Sequence, residues 1–523
     1  MTTDNTLKKV GFASMIMMSS VFLSRVIGVF REMTIAGIGG IRADVDAYQI
    51  AFVIPEILNH IVAAGFLSIT FIPIFTHYLI NRQDQEGYRV FSIIMNTFGL
   101  VLLGFILVGM IWAPQIVGFF APGIHNPATF DLAVKMTRII IPAQFFFFIG
   151  GLLMAIQFAR EKFFIPALAP LIYNVCIILG GVLLGPAMGM EGFAWGVLAG
   201  AFLGNFALQV IGAKQLGTRY FFIFSFGHPD LIKYVKLTLP LMLGLTMTFS
   251  MEILLKFFGS FLDPGSIASM NYAIRIMFIL VGLFGQAVGV ASYPYMARLA
   301  KNKDLTDLNQ LLNNTLKFIF LVIPISVLFM VLSREIVTIL FQRGQFDAAA
   351  TAVTAGILPF FMVGAFAFAA QNIVSRGYYA IQNTLFPVIF TSLCVIASLP
   401  VIWLFMKMMG ARGVALGLSI TVAIQCFVLF ECWNKQSRNT DKKQVYLFFF
   451  KMIPLSLVIG LVLKLSCEFL RTILDYAGFT NSLVIIIIIG IEFSLLFFVT
   501  GRIFHIQEII VFKNNLINKL YRK

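Results

Sequence analysis

Residues 10–39 read VGFASMIMMSSVFLSRVIGVFREMTIAGIG. A helix of that length crosses a bilayer, yet this one carries Arg25 and Arg31. A cation near mid-membrane costs about 2.5–3.5 kcal/mol even on lenient insertion scales, so it marks a functional site by default. Five more cations, Lys135, Arg138, Lys256, Arg275 and Lys464, lie in stretches of the same kind. Together they point to an internal cavity built to hold something anionic.

The rest of the chain has the same character. Of its 523 residues 59% are hydrophobic and 12% charged, which places it among polytopic membrane proteins. A net charge of +15 would suggest nucleic acid in a soluble protein. Here the charges cluster in short loops between apolar runs, where they orient the chain in the membrane, and no nucleic-acid partner is expected. Cys176, Cys394, Cys426, Cys432 and Cys467 lie in or beside apolar runs without metal-ligand spacing, and read as small hydrophobes. The sequence holds no zinc-protease, Walker or nucleophile-elbow motif. Neither an enzyme, a metal nor a cofactor is expected.

Apolar runs bounded by charges or Gly/Pro turns predict an all-α fold of about fourteen transmembrane helices. They fall near 10–38, 45–79, 88–113, 129–158, 162–185, 190–216, 231–259, 266–296, 307–332, 349–376, 383–407, 411–436, 447–468 and 480–501. Lys8 and Lys9 lead into a first run too long for a signal peptide, so it is expected to stay in the protein. With the N-terminus in the cytoplasm, 25 Lys and Arg fall on inner segments and six on outer ones (Arg42, Arg334, Arg343, Lys407, Arg412 and Arg471). That asymmetry predicts two cytoplasmic termini. Beyond Arg502, apolar and basic residues alternate as in an interfacial amphipathic helix.

One register recurs at an offset of 221 residues. Pro73 matches Pro294; Phe158-Ala159 with Pro166 matches Tyr379-Ala380 with Pro387; Gly192-x-Ala194-x-Gly196 matches Gly413-x-Ala415-x-Gly417. The offset maps spans 1–6 onto 7–12. An even number of spans keeps the polarity, so the halves are expected to be parallel repeats with substrate between them. The expected domains are an N-terminal six-helix bundle (1–220), a C-terminal one (221–437), an appended helix pair (438–501) and a cytoplasmic tail (502–523).

Arg25, Arg31 and Arg275 are the leading candidates for gripping an anion, because guanidinium offers a planar fork to phosphate or carboxylate. Six residues separate Arg25 from Arg31, about 120 degrees of rotation, and Gly28 between them would allow bending or unwinding. Arg31 is expected to pair poorly with its neighbour Glu32 and better with Asp46 or Glu56. Arg138 is a further candidate for the cavity lining. Lys135 and Lys464 are close enough to the surface to snorkel, and Glu252 and Lys256 have the spacing of an intrahelical pair. His60, mid-span, is a candidate proton carrier.

With these residues in place the chain resembles the MurJ/MviN lipid II flippase family. The likeness rests on Ser24-Arg25-Val26-Ile27-Gly28-Val29-Phe30-Arg31-Glu32, Val45-Asp46-Ala47-Tyr48, Ile54-Pro55, Gly65-Phe66-Leu67-Ser68 and Phe71-Ile72-Pro73. It continues with Tyr272-Ala273-Ile274-Arg275, Leu340-Phe341-Gln342-Arg343-Gly344-Gln345-Phe346-Asp347 and Tyr378-Tyr379-Ala380-Ile381-Gln382-Asn383-Thr384. The resemblance implies a carrier that moves undecaprenyl-diphosphate-linked peptidoglycan precursor from the inner to the outer leaflet of the bacterial cytoplasmic membrane. It implies that Arg25, Arg31 and Arg275 line the cavity and engage the diphosphate, that Asp46 is an acid of the cavity region, and that the last two spans hold the lipid tail. Its partners would be the lipid-linked glycan and membrane lipids, with cell-wall synthesis proteins as possible associates of a monomer. The chain departs from the family at Asn59 and His60, where paired arginines are usual, at Ala64 for a glutamate and at Ile274 for an aspartate. Asn59 and His60 therefore join the expected substrate contacts. A flippase for another polyprenyl-linked oligosaccharide is the runner-up, and a drug/cation antiporter, expected to have twelve spans and a carboxylate-rich cavity, ranks third.

Overall fold

A computed structural model describes residues 3–55, 70–246, 250–302, 304–474 and 478–504, with 506 and 508; side chains at 3–14 and 239–250 are not described. Among the described residues the fold is helical apart from turns, short extended stretches and one isolated bridge, Arg343 to Phe346. Among the described residues ten helices are long and apolar enough to span a membrane. An eleventh span is the pair Ala348–Met362 and Ala365–Ala380, bent by 43°. These eleven coincide with eleven of the fourteen expected runs. The other three, 10–38, 45–79 and 231–259, are helical where described but fall outside that count.

The chain divides into two compact units, Met1–Ala268 and Ser269–Lys523. In the first, Thr3–Gly39 packs along Phe164–Met188, which packs in turn on Glu191–Gly200. Glycine makes the second contact possible. A Cβ on Gly180 would stand 2.6 Å from the Gly192 carbonyl, and one on Gly196 would stand 2.6 Å from that of Cys176. Small residues that let backbones touch replace the hydrophobic drive that lipid removes.

A second core in this unit gathers Phe71, Phe75, Phe91, Phe148 and Tyr234 around Asp84–Ile111. An irregular segment over 218–225 lies against the same helix. The Asn96 amide donates to the carbonyls of Phe221 and Ile223, each at 3.0 Å, and Ser92 Oγ accepts the Phe221 N–H at 3.0 Å. Phe221 and Ile223 face the core, whereas Phe222, Phe224 and Phe226 point outward, and the Tyr220 hydroxyl donates to Asn96 Oδ1 at 2.9 Å.

The second unit repeats the first in detail. Phe164–Met188 and Leu385–Met409 have the same limits under the 221-residue offset, and Asp84 and Leu305 start equivalent helices. Left-handed backbone occurs at Glu161 and Gln382, again 221 apart. The bonds that follow match as well: Lys162 N–H to the Gln157 carbonyl at 2.8 Å, and Asn383 N–H to that of Tyr378 at 3.0 Å. Trp433, fully buried in this unit, sits edge-on to Tyr378 at 5.2 Å.

Candidate functional site

In the first unit Thr3–Gly39 runs unbroken through Gly28, so the expected unwinding there does not occur. The chain turns instead after Gly39, at Gly40, whose φ is 65°. Arg25 is exposed and Arg31 partly buried. Arg31 Nη2 donates to Glu32 Oε1 at 2.6 Å and Nη1 to Asn174 Oδ1 at 3.0 Å. The Asn174 amide also donates to Ser24 Oγ at 3.3 Å and to the Pro170 carbonyl at 2.9 Å. Tyr48 and Tyr173 lie within electrostatic reach of the guanidinium.

The pairing of Arg31 with Glu32 corrects the expectation from helix geometry. Adjacent Cα–Cβ bonds diverge, but two long side chains can curl back to meet, and an apolar surround makes that contact worthwhile. Asn174 went unnoticed in sequence. Its signal was present: a lone amide within the apolar run 164–188 must find a partner in lipid or protein.

Asp46 is not the counterion of Arg31. It is 6% exposed, and its Oδ2 accepts the Gly265 N–H at 2.5 Å while Oδ1 accepts that of Ala268 at 2.7 Å. A carboxylate at the start of Ser266–Val281 satisfies orphan amides and faces the positive end of the helix dipole. Gly265 itself has φ 90°, and a Cβ there would stand 1.8 Å from the Ile41 carbonyl. Only glycine allows this approach. Glu56, the other partner considered, lies outside the described residues, as do Asn59, His60 and Ala64.

Two other cations have defined partners. Arg138 is exposed and donates from Nε to the Met110 carbonyl at 2.9 Å, which ties it to the end of Asp84–Ile111. Lys135 does more than snorkel, since its Nζ lies 2.8 Å from the Glu191 carboxylate. Most of the predicted basic tail lies outside the described residues.

In the second unit Arg275 is partly buried, one turn beyond Tyr272. The conspicuous loop 340–347 explains how that turn is fixed. Phe346 is fully buried and sits edge-on to Tyr272 at 5.5 Å, with Phe341 5.0 Å from the same ring. Gly344 makes the turn with φ 54°, and Asp347 caps Ala348–Met362 through the Ala350 N–H at 2.8 Å. The loop is thus a plug that sets Tyr272, and through the helix the position of Arg275. Among the described residues no cluster of three or more His, Cys, Asp or Glu is arranged to hold a metal. A guanidinium on such a helix offers paired N–H donors whose geometry suits phosphate or carboxylate.

The family model described as lipid II flippase MurJ matches residues 35–496, a range that includes Asp46, Arg138 and Arg275 and starts just after Arg31. A Buchnera aphidicola protein named probable lipid II flippase MurJ is 27% identical over 413 residues, 78% of this chain and 80% of its own. The lipid II flippase MurJ of Burkholderia cenocepacia is 26% identical over 449 residues, 84% of this chain and 86% of its own. Among solved structures, the inward closed conformation of a lipid II flippase MurJ aligns with a TM-score of 0.75 at 26% identity, over 92% of this chain and 99% of that one.

Proposed function

The chain belongs to the lipid II flippase MurJ family, and from that premise we propose that it carries lipid II from the inner to the outer leaflet of the bacterial cytoplasmic membrane. The headgroup is exposed alternately to the two sides while the polyprenyl tail stays in lipid. The excess of Lys and Arg on segments assigned to the cytoplasm supports this orientation.

Arg25, Arg31 and Arg275 are the groups assigned to the diphosphate, and the environment of Arg31 carries the argument. Its guanidinium is kept in an apolar helix by one carboxylate and one amide. Glu32 lowers the cost of the buried cation when no substrate is present. An arriving diphosphate offers a stronger, multiply charged acceptor set and competes with Glu32 for the fork. Asn174 holds Nη1 meanwhile, so the fork stays aimed. Asn59 and His60, which replace two cations, are assigned to the uncharged part of the headgroup.

An inside-negative potential contributes about 2.3 kcal/mol per charge per 100 mV. Two negative charges moving outward therefore gain roughly 4–5 kcal/mol at that voltage, enough to bias the cycle without a coupling ion.

The test is complementation of a conditional strain depleted of its lipid II flippase. The wild-type chain is expected to rescue growth, and Arg31→Ala and Arg275→Ala are not. Failure of a well-expressed, inserted wild type would move the assignment to another polyprenyl-linked glycan.

A further inference from the structure

In the first unit residues 216–228, LGTRYFFIFSFGH, join Leu208–Gln215 to Pro229–Thr246. The internal repeat makes this connection unusual. In the second unit the equivalent helices, Ala411–Ser437 and Lys442–Ile473, are joined by the polar residues 438–441 alone. The longer connection turns alternate side chains to opposite sides. Phe221 and Ile223 pack on the core, while Phe222 and Phe226 are 79% and 66% exposed. Phe224 is exposed between them, and its ring meets that of Phe222 edge-on at 5.1 Å.

The depth at which this segment is fastened decides what covers those rings. Asp84–Ile111 has 28 residues, roughly 42 Å of helix, against a hydrocarbon core of about 30 Å. Centred in a bilayer it projects about 6 Å at each end. Ser92 and Asn96 lie roughly 12 and 18 Å from its start, well inside the hydrocarbon layer. They are the side chains that hold the segment. Ser92 Oγ accepts the Phe221 N–H, the Asn96 amide donates to the carbonyls of Phe221 and Ile223, and the Ile223 N–H donates to the Phe221 carbonyl at 2.9 Å. Both backbone groups of Phe221 and of Ile223 are thus satisfied within the protein, the condition for non-helical backbone at membrane depth. Asn96 Oδ1 accepts the Tyr220 hydroxyl as well, so both ends of this amide serve the segment.

Beyond Asn96 the same face of the helix carries Leu100, Leu103 and Leu107, all exposed. A bare apolar stripe along a spanning helix is a surface for acyl chains, and the row of phenylalanines continues it toward the Asp84 end. We propose that residues 218–226 form a re-entrant wedge in the leaflet at that end, with Phe222, Phe224 and Phe226 among the upper acyl chains of phospholipid. Arg219, exposed beside them, reaches back to the lipid phosphates. Aromatic rings and a snorkelling arginine both suit that boundary. The wedge leads directly into Pro229–Thr246 and so ties the start of that helix to the leaflet, which is the cytoplasmic one in the orientation proposed above. The assignment needs only that the chain spans a membrane, and does not depend on the flippase reading.

The test places a tryptophan at Phe222 and, separately, at Phe226, both exposed enough to accept the larger ring, in the full chain reconstituted into phosphatidylethanolamine and phosphatidylglycerol vesicles. Gln83→Trp, exposed at the start of Asp84–Ile111, is the control. The signal of the four native tryptophans, measured on the wild type under the same conditions, is subtracted. Lipids brominated on the upper part of the acyl chains are expected to remove most of the emission added at 222 and 226, and acrylamide in the water to leave it. The control is expected to show the reverse. The two sites are read independently, so a variant that fails to fold leaves the other to decide. Acrylamide quenching at 222 and 226 equal to that at 83 overturns the proposal and puts the segment in water. Protection from both quenchers overturns it too, since protein would then cover the rings.

Discussion

Gly189 and Gly410 adopt the same backbone conformation, φ 58°, ψ −134° and φ 59°, ψ −134°, 221 residues apart. Each N–H closes its helix at the same distance, 2.8 Å, onto Gly185 in one case and Met406 in the other. The two turns are the same device at equivalent positions of the repeat, although the residues around them differ.

That conformation is essentially reserved for glycine. Nothing lies within 4 Å of a Cβ built at either position, so the cost of alanine is backbone strain alone, about 1–3 kcal/mol. Gly189→Ala and Gly410→Ala should lower the thermal midpoint in detergent by similar amounts. Widely different shifts would show that the turns are not equivalent.

Asn174→Ala should leave Arg31 charged but held through Glu32 alone. The loss of a hydrogen bond to a charged group, about 1.5–3 kcal/mol, is expected as a flipping rate between those of wild type and Arg31→Ala. A lipid II flipping assay in vesicles measures it, and an Asn174→Ala variant as active as wild type would remove the aiming role.

Asp46→Ala should cost about 0.5–2 kcal/mol by uncapping Ser266–Val281, and Asp46→Asn should recover only part of it, since its one amide oxygen can accept from Gly265 or Ala268 while its NH2 faces the other N–H. Thermal unfolding of the two variants measures how much of the cap needs both oxygens. If asparagine is as stable as the wild type, one of the two bonds contributes nothing.

Phe346→Ala should destabilise the protein by about 3–5 kcal/mol, as expected for emptying a packed aromatic site. It should also reduce flipping in the surviving folded fraction, because Tyr272 then loses the ring that fixes the turn carrying Arg275. Phe346→Leu should restore part of both. Transport that survives in folded Phe346→Ala would separate the plug from the site.

Asn96→Ala removes the donor to two carbonyls of the 218–225 segment, each costing about 1–3 kcal/mol if left unsatisfied. The segment should loosen, and trypsin should cut faster after Arg219. An unchanged digestion rate would mean that the Ser92 bond and the packing of Phe221 and Ile223 hold it without Asn96.

Much of this was legible before any fold was known. Leu385–Met409 and Ala411–Ser437 follow from apolar runs and the Gly410 break, and the 221-residue offset predicted from a few Gly, Pro and Ala matches reappears in helix limits and turn angles. Arg31 and Arg275 could be singled out by chemistry, because a cation in an apolar run needs a reason. Their partners could not. Whether Arg31 meets Glu32, Asp46 or Asn174 depends on where three helices cross, which periodicity does not encode.

The sequence by itself determined a repeated bundle of membrane helices with cations inside apolar runs, since burial of apolar length and backbone satisfaction in lipid are local demands each run meets alone. Only the tertiary structure decided that Asp46 caps a helix more than 200 residues away, that Asn174 steadies Arg31, and that Phe346 plugs the turn before Arg275. Those contacts join residues distant in the chain, and polar groups in an apolar medium take whichever partner the packing brings within hydrogen-bonding reach.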